Sequence, residues 1–223
     1  MSIKENLELL KHEIPQHVKL VAVSKTKPVE IIRDAYHAGQ RIFGENKAQE
    51  MAMKFNELPK DIEWHFIGHM QTNKVKYIAP FVSLIHSVDS LKVLKEINKQ
   101  AEKNNRVIDC LLQFHIASEE TKFGLNYTEA EDIIKSGGEF KNVRFAGVMG
   151  MATYTDDQKQ IRAEFKRLRE YFDRLKENYF SGDTAFKEIS MGMSGDYQIA
   201  IEEGSTIVRI GTRIFGKRDY TNR

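Results

Sequence analysis

The feature that decides the fold is the stretch at residues 19–37, KLVAVSKTKPVEIIRDAYH. It begins with an apolar run of strand length, which Thr26-Lys27-Pro28 brings to an end. After the proline, apolar and polar side chains alternate with the period of an amphipathic helix. The stretch therefore predicts one β-strand, a short loop and one α-helix.

The same strand-then-helix unit recurs along the whole chain. The predicted strands are residues 19–23, 41–43, 63–67, 83–86, 107–114, 143–148, 188–191 and 207–210. The predicted helices between them are residues 28–37, 47–57, 73–78, 90–103, 128–135, 157–178 and 197–203. Residues 1–14 add an amphipathic helix before the first strand.

Repeated βα units in a chain of 223 residues predict one α/β domain over residues 1–223. A single (β/α)8 TIM-type barrel accounts for eight such units, and a doubly wound open sheet would show the same alternation. The barrel is the preferred prediction. Thr155 and Gln158 have the spacing of a capping box at the start of the longest helix.

Composition and charge argue against several classes of function. The 34 basic and 32 acidic residues nearly cancel and are dispersed, which is not the pattern of a nucleic-acid or membrane-surface protein. The N-terminal residues lack the apolar core of a signal peptide, and no stretch has the length of a membrane span. The sole cysteine, Cys110, lies in a buried-strand pattern and cannot form an intramolecular disulfide. A cytoplasmic location is therefore predicted.

Lys25 is the first candidate for chemistry because it follows the first strand directly. Desolvation disfavours an ammonium group and lowers its pKa. A lysine brought from about 10.4 towards roughly 7–8 is the nucleophile that forms a Schiff base with an aldehyde cofactor or a carbonyl substrate. Lys27, two residues further on, is the next candidate.

The loops after the last two strands suggest a phosphate site, which is where barrels often form one. The first loop contains Gly192 and Ser194 before a short helix, and the second contains Gly211 and Thr212. Glycine lets the backbone approach a ligand closely, and hydroxyl and N–H groups bind phosphate oxygens. The alternative is that the glycines are turn residues and Ser194 is an N-cap.

Arg209 lies inside the apolar run of the eighth strand. An unpaired charge there would cost several kcal/mol, so Arg209 needs a partner. A buried salt bridge is one interpretation. The other is that the guanidinium donates a hydrogen bond to a heterocyclic ring nitrogen and keeps that nitrogen unprotonated, because arginine does not lose its proton in proteins.

Asn46 and the histidine pair His65 and His69 are further candidates for ligand binding. Asn46 follows the second strand, where its amide could bind a ligand or cap the next helix. His65 and His69 are four residues apart, which invites a metal site. We reject that interpretation because Gly68 interrupts any helix between them and no carboxylate of the metalloprotease kind accompanies them.

Several blocks in order resemble one known family. They are residues 21–28 (VAVSKTKP), 43–46 (FGEN), 64–74 (WHFIGHMQTNK), 190–194 (SMGMS) and 204–216 (GSTIVRIGTRIFG). With these blocks the chain closely resembles the pyridoxal 5′-phosphate (PLP) homeostasis protein family, relatives of the barrel domain of alanine racemase. The resemblance implies a single-domain barrel with an extra N-terminal helix.

The resemblance also implies the cofactor and its contacts. The vitamin B6 vitamer PLP would form a Schiff base with Lys25, and Arg209 would face its pyridine nitrogen. Ser194, Gly211 and Thr212 would bind the phosphate, and Asn46 would be a further cofactor contact. No residue is assigned a catalytic role and no metal is expected.

The resemblance favours a carrier over an enzyme. In alanine racemases a tyrosine from a separate domain supplies the second acid/base group, and this chain is expected to lack that domain because it ends at Arg223. We therefore predict a monomer or weak dimer that holds PLP for homeostasis and for delivery to PLP-dependent apoenzymes. The alternatives are a weak amino-acid racemase, a Schiff-base aldolase and a regulatory interaction module; Arg209 has no clear use in an aldolase.

Overall fold

A computed structural model of the chain describes residues 1–119, 123–137 and 140–216. Its strands form one closed parallel barrel in the order β1 to β8. They are β1 (Lys19–Val23), β2 (Ile42–Glu45), β3 (Glu63–Phe66), β4 (Leu84–Val88), β5 (Ile108–Phe114), β6 (Val143–Gly150), β7 (Glu188–Ser190) and β8 (Ile207–Ile210).

Helices precede the barrel and follow its strands. They are α1 (Ile3–Glu13), α2 (Val29–His37), α3 (Ala48–Glu57), α4 (Val75–Ile78), α5 (Leu91–Lys103), α6 (Tyr127–Gly137), α7 (Gln158–Tyr179), α8 (Tyr197–Glu202) and α9 (Thr212–Phe215). A 3₁₀ turn at Thr72–Lys74 leads into α4. In the part of the chain that the structure describes, no helix has the length and apolar character needed to cross a bilayer.

The pairing of the first strand with the last closes the barrel. Residues Lys19 to Ala22 of β1 lie in parallel register with Ile207 to Ile210 of β8. In an open sheet the strands do not form a closed ring. Here every strand has two neighbours and β1 pairs with β8, which confirms the predicted barrel and excludes the doubly wound alternative. Cys110 is a buried free thiol on β5, as its sequence pattern predicts.

The alternation of side chains along the strands separates the barrel interior from the outer core. An apolar layer crosses the interior and includes Val21, Leu111 and Ile207. Because side chains alternate along a strand, Val23 and Lys25 continue upward from Val21 on the same face, towards the C-terminal mouth. Lys19 lies below Val21, at the N-terminal mouth.

The start of α7 differs from the capping-box prediction. Asp157 is the N-cap, and its carboxylate accepts the backbone N–H groups of Lys159 and Gln160. Thr155 instead accepts the N–H of Asp157 at 3.2 Å. An ionised carboxylate is an equally good N-cap and compensates the helix dipole, so the chain begins the helix two residues later than the predicted box.

Candidate functional site

A strained turn places Lys25 at the C-terminal mouth. Thr26, the next residue, has a φ of 67°, in the left-handed region that non-glycine residues rarely adopt. Such a conformation costs of order 1–3 kcal/mol and persists where neighbouring groups hold it. Here the backbone N–H of Thr26 donates to Glu50 Oε1 at 2.8 Å. The turn directs the chain out of the barrel and leaves Lys25 partly exposed.

A group of buried and partly buried polar side chains lies directly behind this turn. We call it the Lys54 cluster, and it comprises Ser24, Glu45, Glu50 and Lys54. Lys54 is 2% exposed, and its ammonium donates to Glu45 Oε1 and Glu50 Oε1, both at 2.7 Å. Its third bond goes to the backbone oxygen of Ser24 at 2.9 Å, and the Ser24 hydroxyl donates to Glu45 Oε1 at 2.6 Å. The cluster therefore fixes the backbone on both sides of Lys25.

The two carboxylates of the Lys54 cluster respond differently to their surroundings. Burial raises the pKa of Glu45 above its ordinary value, although Lys54 opposes the shift. Burial also acts to raise the pKa of Glu50, but the hydrogen bonds from Lys54 and from the Thr26 N–H outweigh it and lower that pKa. The sequence analysis missed Lys54. The available signal was its place three residues after Met51, on the face of α3 that is buried.

Lys25 shares a narrow cleft with residues from the other end of the chain. The cleft has a volume of about 30 Å³ and is lined by Val23, Lys25, Lys27, Gly211, Thr212 and Gly216. The Lys27 ammonium is held by α9, since it donates to the backbone oxygen of Phe215 at 3.0 Å. A Cβ added at Gly211 would lie 3.2 Å from the backbone oxygen of Val23, so glycine keeps this wall of the cleft open.

The two predicted phosphate loops meet, as the barrel requires. The backbone N–H of Gly211 donates to Ser194 Oγ at 3.3 Å. The N-cap of α8 is Asp196, so the alternative interpretation of Ser194 as the cap is wrong. Gly192 has a φ of 92°, and a Cβ there would lie 2.6 Å from the Cβ of Ala200. Glycine thus allows this loop to pack against α8.

Arg209 lies inside the barrel and is 4% exposed. Its Nη1 donates to Ser190 Oγ at 2.5 Å, and its Nη2 donates to the backbone oxygen of Gly150 at 3.1 Å. Among the described residues no carboxylate lies within salt-bridge distance of Arg209, although the charge of Asp196 acts on it. Burial lowers its pKa to about 10, so the guanidinium stays charged at neutral pH. A buried salt bridge therefore does not explain this residue.

Asn46 lies outside the Lys25 cleft. It lines a neighbouring pocket of about 270 Å³ together with His69 and Lys74. Its predicted alternative role as a helix cap is wrong, because Lys47 is the N-cap of α3 and makes no side-chain capping bond. A Cβ at Gly68 would lie 2.4 Å from the backbone oxygen of Asn46, which shows how closely the ends of β2 and β3 pack.

The histidines that suggested a metal site have separate partners. His65 Nδ1 lies 3.0 Å from His86 Nε2, while His69 Nδ1 lies 3.0 Å from Asp89 Oδ2. Across residues 1–119, 123–137 and 140–216, no three histidine, cysteine or acidic side chains are grouped as metal ligands.

Comparison with known sequences gives matches over nearly the whole chain. A profile of the alanine racemase N-terminal domain matches residues 1–219. A pyridoxal phosphate homeostasis protein of Aquifex aeolicus is 44% identical over 203 residues, which cover 91% of this chain and 88% of that protein.

Comparison with solved structures supports the same relationship. PipY of Synechococcus elongatus, solved with PLP bound, is 32% identical with a TM-score of 0.87, covering 96% of this chain and 100% of that one. Alanine racemase of Streptomyces coelicolor shares the fold at 16% identity and a TM-score of 0.79, covering 97% of this chain but 58% of the racemase.

Proposed function

The chain belongs to the pyridoxal phosphate homeostasis protein family, within the alanine racemase N-terminal domain group, and we propose that it holds PLP as a Schiff base on Lys25. In this role it keeps a reactive aldehyde bound and exchangeable, and it acts in intracellular PLP homeostasis and delivery without efficient catalysis of its own. The observation that carries the proposal is that Lys25 shares a cleft with Gly211 and Thr212, while the Gly211 N–H bonds to Ser194.

The residues present suit the chemistry of this cofactor. The phosphate needs backbone and hydroxyl donors at a place where no side chain blocks approach, and Ser194, Gly211 and Thr212 provide them. The pyridine ring needs a partner for its nitrogen, and Arg209 retains N–H donors beyond its two protein bonds. Because Arg209 stays charged, it would donate to the ring nitrogen of bound PLP and would keep that nitrogen unprotonated. We assign Asn46 to the edge of the site, on the side of the neighbouring pocket.

When bound, PLP supplies a carbonyl that exchanges between amines and an electron-withdrawing ring. The protein's own contribution is to present the Lys25 amine, to hold the phosphate and to set the protonation of the ring nitrogen. An unprotonated ring nitrogen is a weaker electron sink, which suits storage better than bond breaking.

The proposal is tested by the visible spectrum of the purified protein supplied with PLP, before and after borohydride reduction. We expect an imine band that borohydride removes, and a reduced adduct on Lys25 when the protein is digested and mapped. A protein without an imine band, or an adduct on a distant side chain, would contradict the proposal.

Removal of the phosphate donors should discriminate between vitamers. We expect Ser194→Ala and Thr212→Val each to weaken PLP binding about 10- to 100-fold, the effect of one hydrogen bond to a charged group. Pyridoxal, which lacks the phosphate, should bind the variants and the parent alike. Equilibrium titration of the visible band measures both affinities.

Ser181→Ala is the matched control for this pair, since Ser181 is exposed in the loop before β7, at the other end of the barrel. It should leave the affinity for both vitamers unchanged. Equal losses for PLP and pyridoxal in Ser194→Ala would show that Ser194 does not hold the phosphate.

The carrier role has a direct kinetic consequence. Lys25 is partly exposed at the mouth, so water reaches the site, and solvent exclusion is one of the features that make such chemistry efficient. We expect no turnover of L- or D-alanine above that of buffer with an equal concentration of free PLP, measured by chiral separation. A racemisation rate that disappears in Lys25→Ala would establish the weak-racemase alternative instead.

The proposed function extends to partners and location. The recipients of PLP are proposed to be PLP-dependent apoenzymes in the cytoplasm, and the functional unit is one domain over residues 1–223. A monomer or weak dimer remains our prediction for the assembly.

A further inference from the structure

The N-terminal mouth of the barrel contains a second polar pocket, at the end opposite Lys25. It has a volume of about 450 Å³, and His65 forms part of its floor. Its charged lining comprises three basic and three acidic side chains, namely Lys19, Arg144, Lys187, Glu63, Asp109 and Glu188. No step of the proposed function uses this pocket, which we call the floor pocket.

A line of hydrogen bonds connects Arg209 to the floor pocket through the barrel interior. Arg209 Nη1 donates to Ser190 Oγ at 2.5 Å, and Ser190 Oγ lies 2.9 Å from His86 Nδ1. His86 Nε2 in turn lies 3.0 Å from His65 Nδ1. Arg209, Ser190, His86 and His65 are all buried, with His65 3% exposed at the pocket end. We call these four side chains the interior relay.

The charged arginine fixes the direction of the interior relay. Arginine has no acceptor atom, so Ser190 must accept from it. The described residues offer the Ser190 hydroxyl one acceptor, His86 Nδ1, so Ser190 donates there. A neutral imidazole that accepts at one nitrogen carries its proton on the other, so His86 Nε2–H donates to His65 Nδ1.

The last member of the interior relay is therefore left with an N–H group, His65 Nε2–H, at the floor of the pocket. Both histidines are neutral as this arrangement requires: burial, then the charge of Lys19, lowers the pKa of His65 to about 3, and burial lowers that of His86. Among the described residues His65 Nε2 has no acceptor, although the side chain is almost wholly buried. Nε2 is not sealed inside the protein but opens onto the floor pocket, so a water or a ligand in that pocket accepts its hydrogen bond.

The charged side chains around His65 Nε2–H indicate which ligand charge the pocket favours. Glu188 is paired with Lys19 at 2.6 Å, and Asp109 is paired with Arg144 at 2.7 Å. The side chain of Lys19 is still 47% exposed, so its ammonium can meet a second oxygen. Equal numbers of acids and bases disfavour a polyanion, whereas a single carboxylate matches one N–H donor beside one ammonium.

We infer that the floor pocket binds the carboxylate of a small molecule, which accepts from His65 Nε2–H beside Lys19. Hydrogen-bonded chains polarise one another, so an anion at this end strengthens the bond that Ser190 accepts from Arg209. The proposed function pairs Arg209 with the ring nitrogen of PLP. The interior relay therefore couples the floor pocket to the cofactor site through Arg209. The site itself depends only on the geometry of the protein without cofactor.

The first test is the tautomer of each buried histidine in cofactor-free protein, read by NMR with 15N-labelled histidine. We expect the proton on Nε2 in both His65 and His86. A proton on Nδ1 of either ring would reverse the interior relay, leave an acceptor at the pocket and overturn the inference. Neither result depends on whether the protein binds PLP.

The second test is a titration of the same protein with acetate against sodium chloride of equal ionic strength. We expect a saturable shift of the His65 Nε2 signal with acetate, while exposed His17 serves as an internal control that does not move. An absent shift, or an equal shift with chloride, would contradict the carboxylate site.

Variants add a third measurement to the wild-type titration. His65→Leu removes the donor and should weaken acetate binding, followed by calorimetry, at least about tenfold. Acetate affinity unchanged in folded His65→Leu would place the carboxylate elsewhere. If His65→Leu does not fold, the wild-type titration alone decides.

Discussion

Replacement of Lys25 by alanine should abolish the imine absorbance of the PLP-loaded protein and the label that borohydride fixes to it. The reason is that the variant removes the amine which shares a cleft with the loop around Gly211 and Thr212. The variant should still fold, because Lys25 lies at the mouth of the barrel and is not one of its core side chains. Visible spectra and thermal unfolding of the same sample measure both effects.

Lys27→Gln is the informative comparison for Lys25→Ala. Lys27 lines the same cleft, but its ammonium is bonded to the backbone oxygen of Phe215. We therefore expect Lys27→Gln to retain the imine band, even if its affinity for PLP changes. An imine band that persists in Lys25→Ala and disappears in Lys27→Gln would move the Schiff base to Lys27.

The strands of this barrel were predictable because local sequence determines them. Residues 19–23 and 207–210 are bounded as predicted, since both are short, mostly apolar runs; β8 is buried throughout, and β1 is buried at Val21 and Ala22. Sequence alone could not close the barrel, because closure is the pairing of Lys19 with Ile207 across the length of the chain. Strand β6 extends two residues beyond its prediction, to Gly150, because pairing with β5 continues there.

Site residues were predictable where the residue type and its place after a strand indicate the role. They were not predictable where the role depends on a bond to a side chain distant in sequence. Lys25, Gly211 and Thr212 were predicted from their places after strands, and the structure brings them to one cleft. Lys54 and His86 were missed because their roles depend on partners elsewhere in the chain. Lys54 bonds to Ser24 and Glu45, before α3, and His86 bonds to Ser190 across the barrel. No local period distinguishes such residues from solvated charges or core positions.

Among the substitutions considered in the described part of the chain, Lys54→Ala in the Lys54 cluster should cause the largest loss of stability. Lys54→Ala removes one partner from a buried pair and leaves the Glu45 carboxylate inside without a cation, and Glu45 Oε2 already has no hydrogen bond. Breaking such a pair costs about 3–5 kcal/mol. Denaturant unfolding should show this loss, whereas Lys95→Ala, on the exposed face of α5, should stay within about 0.5 kcal/mol.

The pH dependence of that loss identifies its cause. In Lys54→Ala the pKa of Glu45 should rise further above its ordinary value, because burial then acts without an opposing cation. A carboxyl whose folded pKa exceeds its unfolded one binds more protons in the folded state, so the variant gains stability as the pH falls through that folded pKa. The opposite holds for wild-type Glu50, whose lowered pKa contributes stability that is lost on acidification. The difference in unfolding free energy between wild type and Lys54→Ala should therefore be smaller at about pH 5 than at about pH 8.

A double variant separates charge from packing in the same cluster. Lys54→Met with Glu45→Gln removes the two deeply buried charges while keeping similar volumes, and replacing such a pair is often near neutral for stability. Glu50, whose side chain is 20% exposed, keeps its charge and still accepts from the Thr26 N–H. We expect the double variant to recover most of the stability lost in Lys54→Ala. Its Schiff base should still be impaired, because a methionine side chain has no N–H group to hold the backbone oxygen of Ser24 beside the strained turn at Thr26. Full recovery of PLP binding together with stability would show that the cluster supports the fold but does not position Lys25.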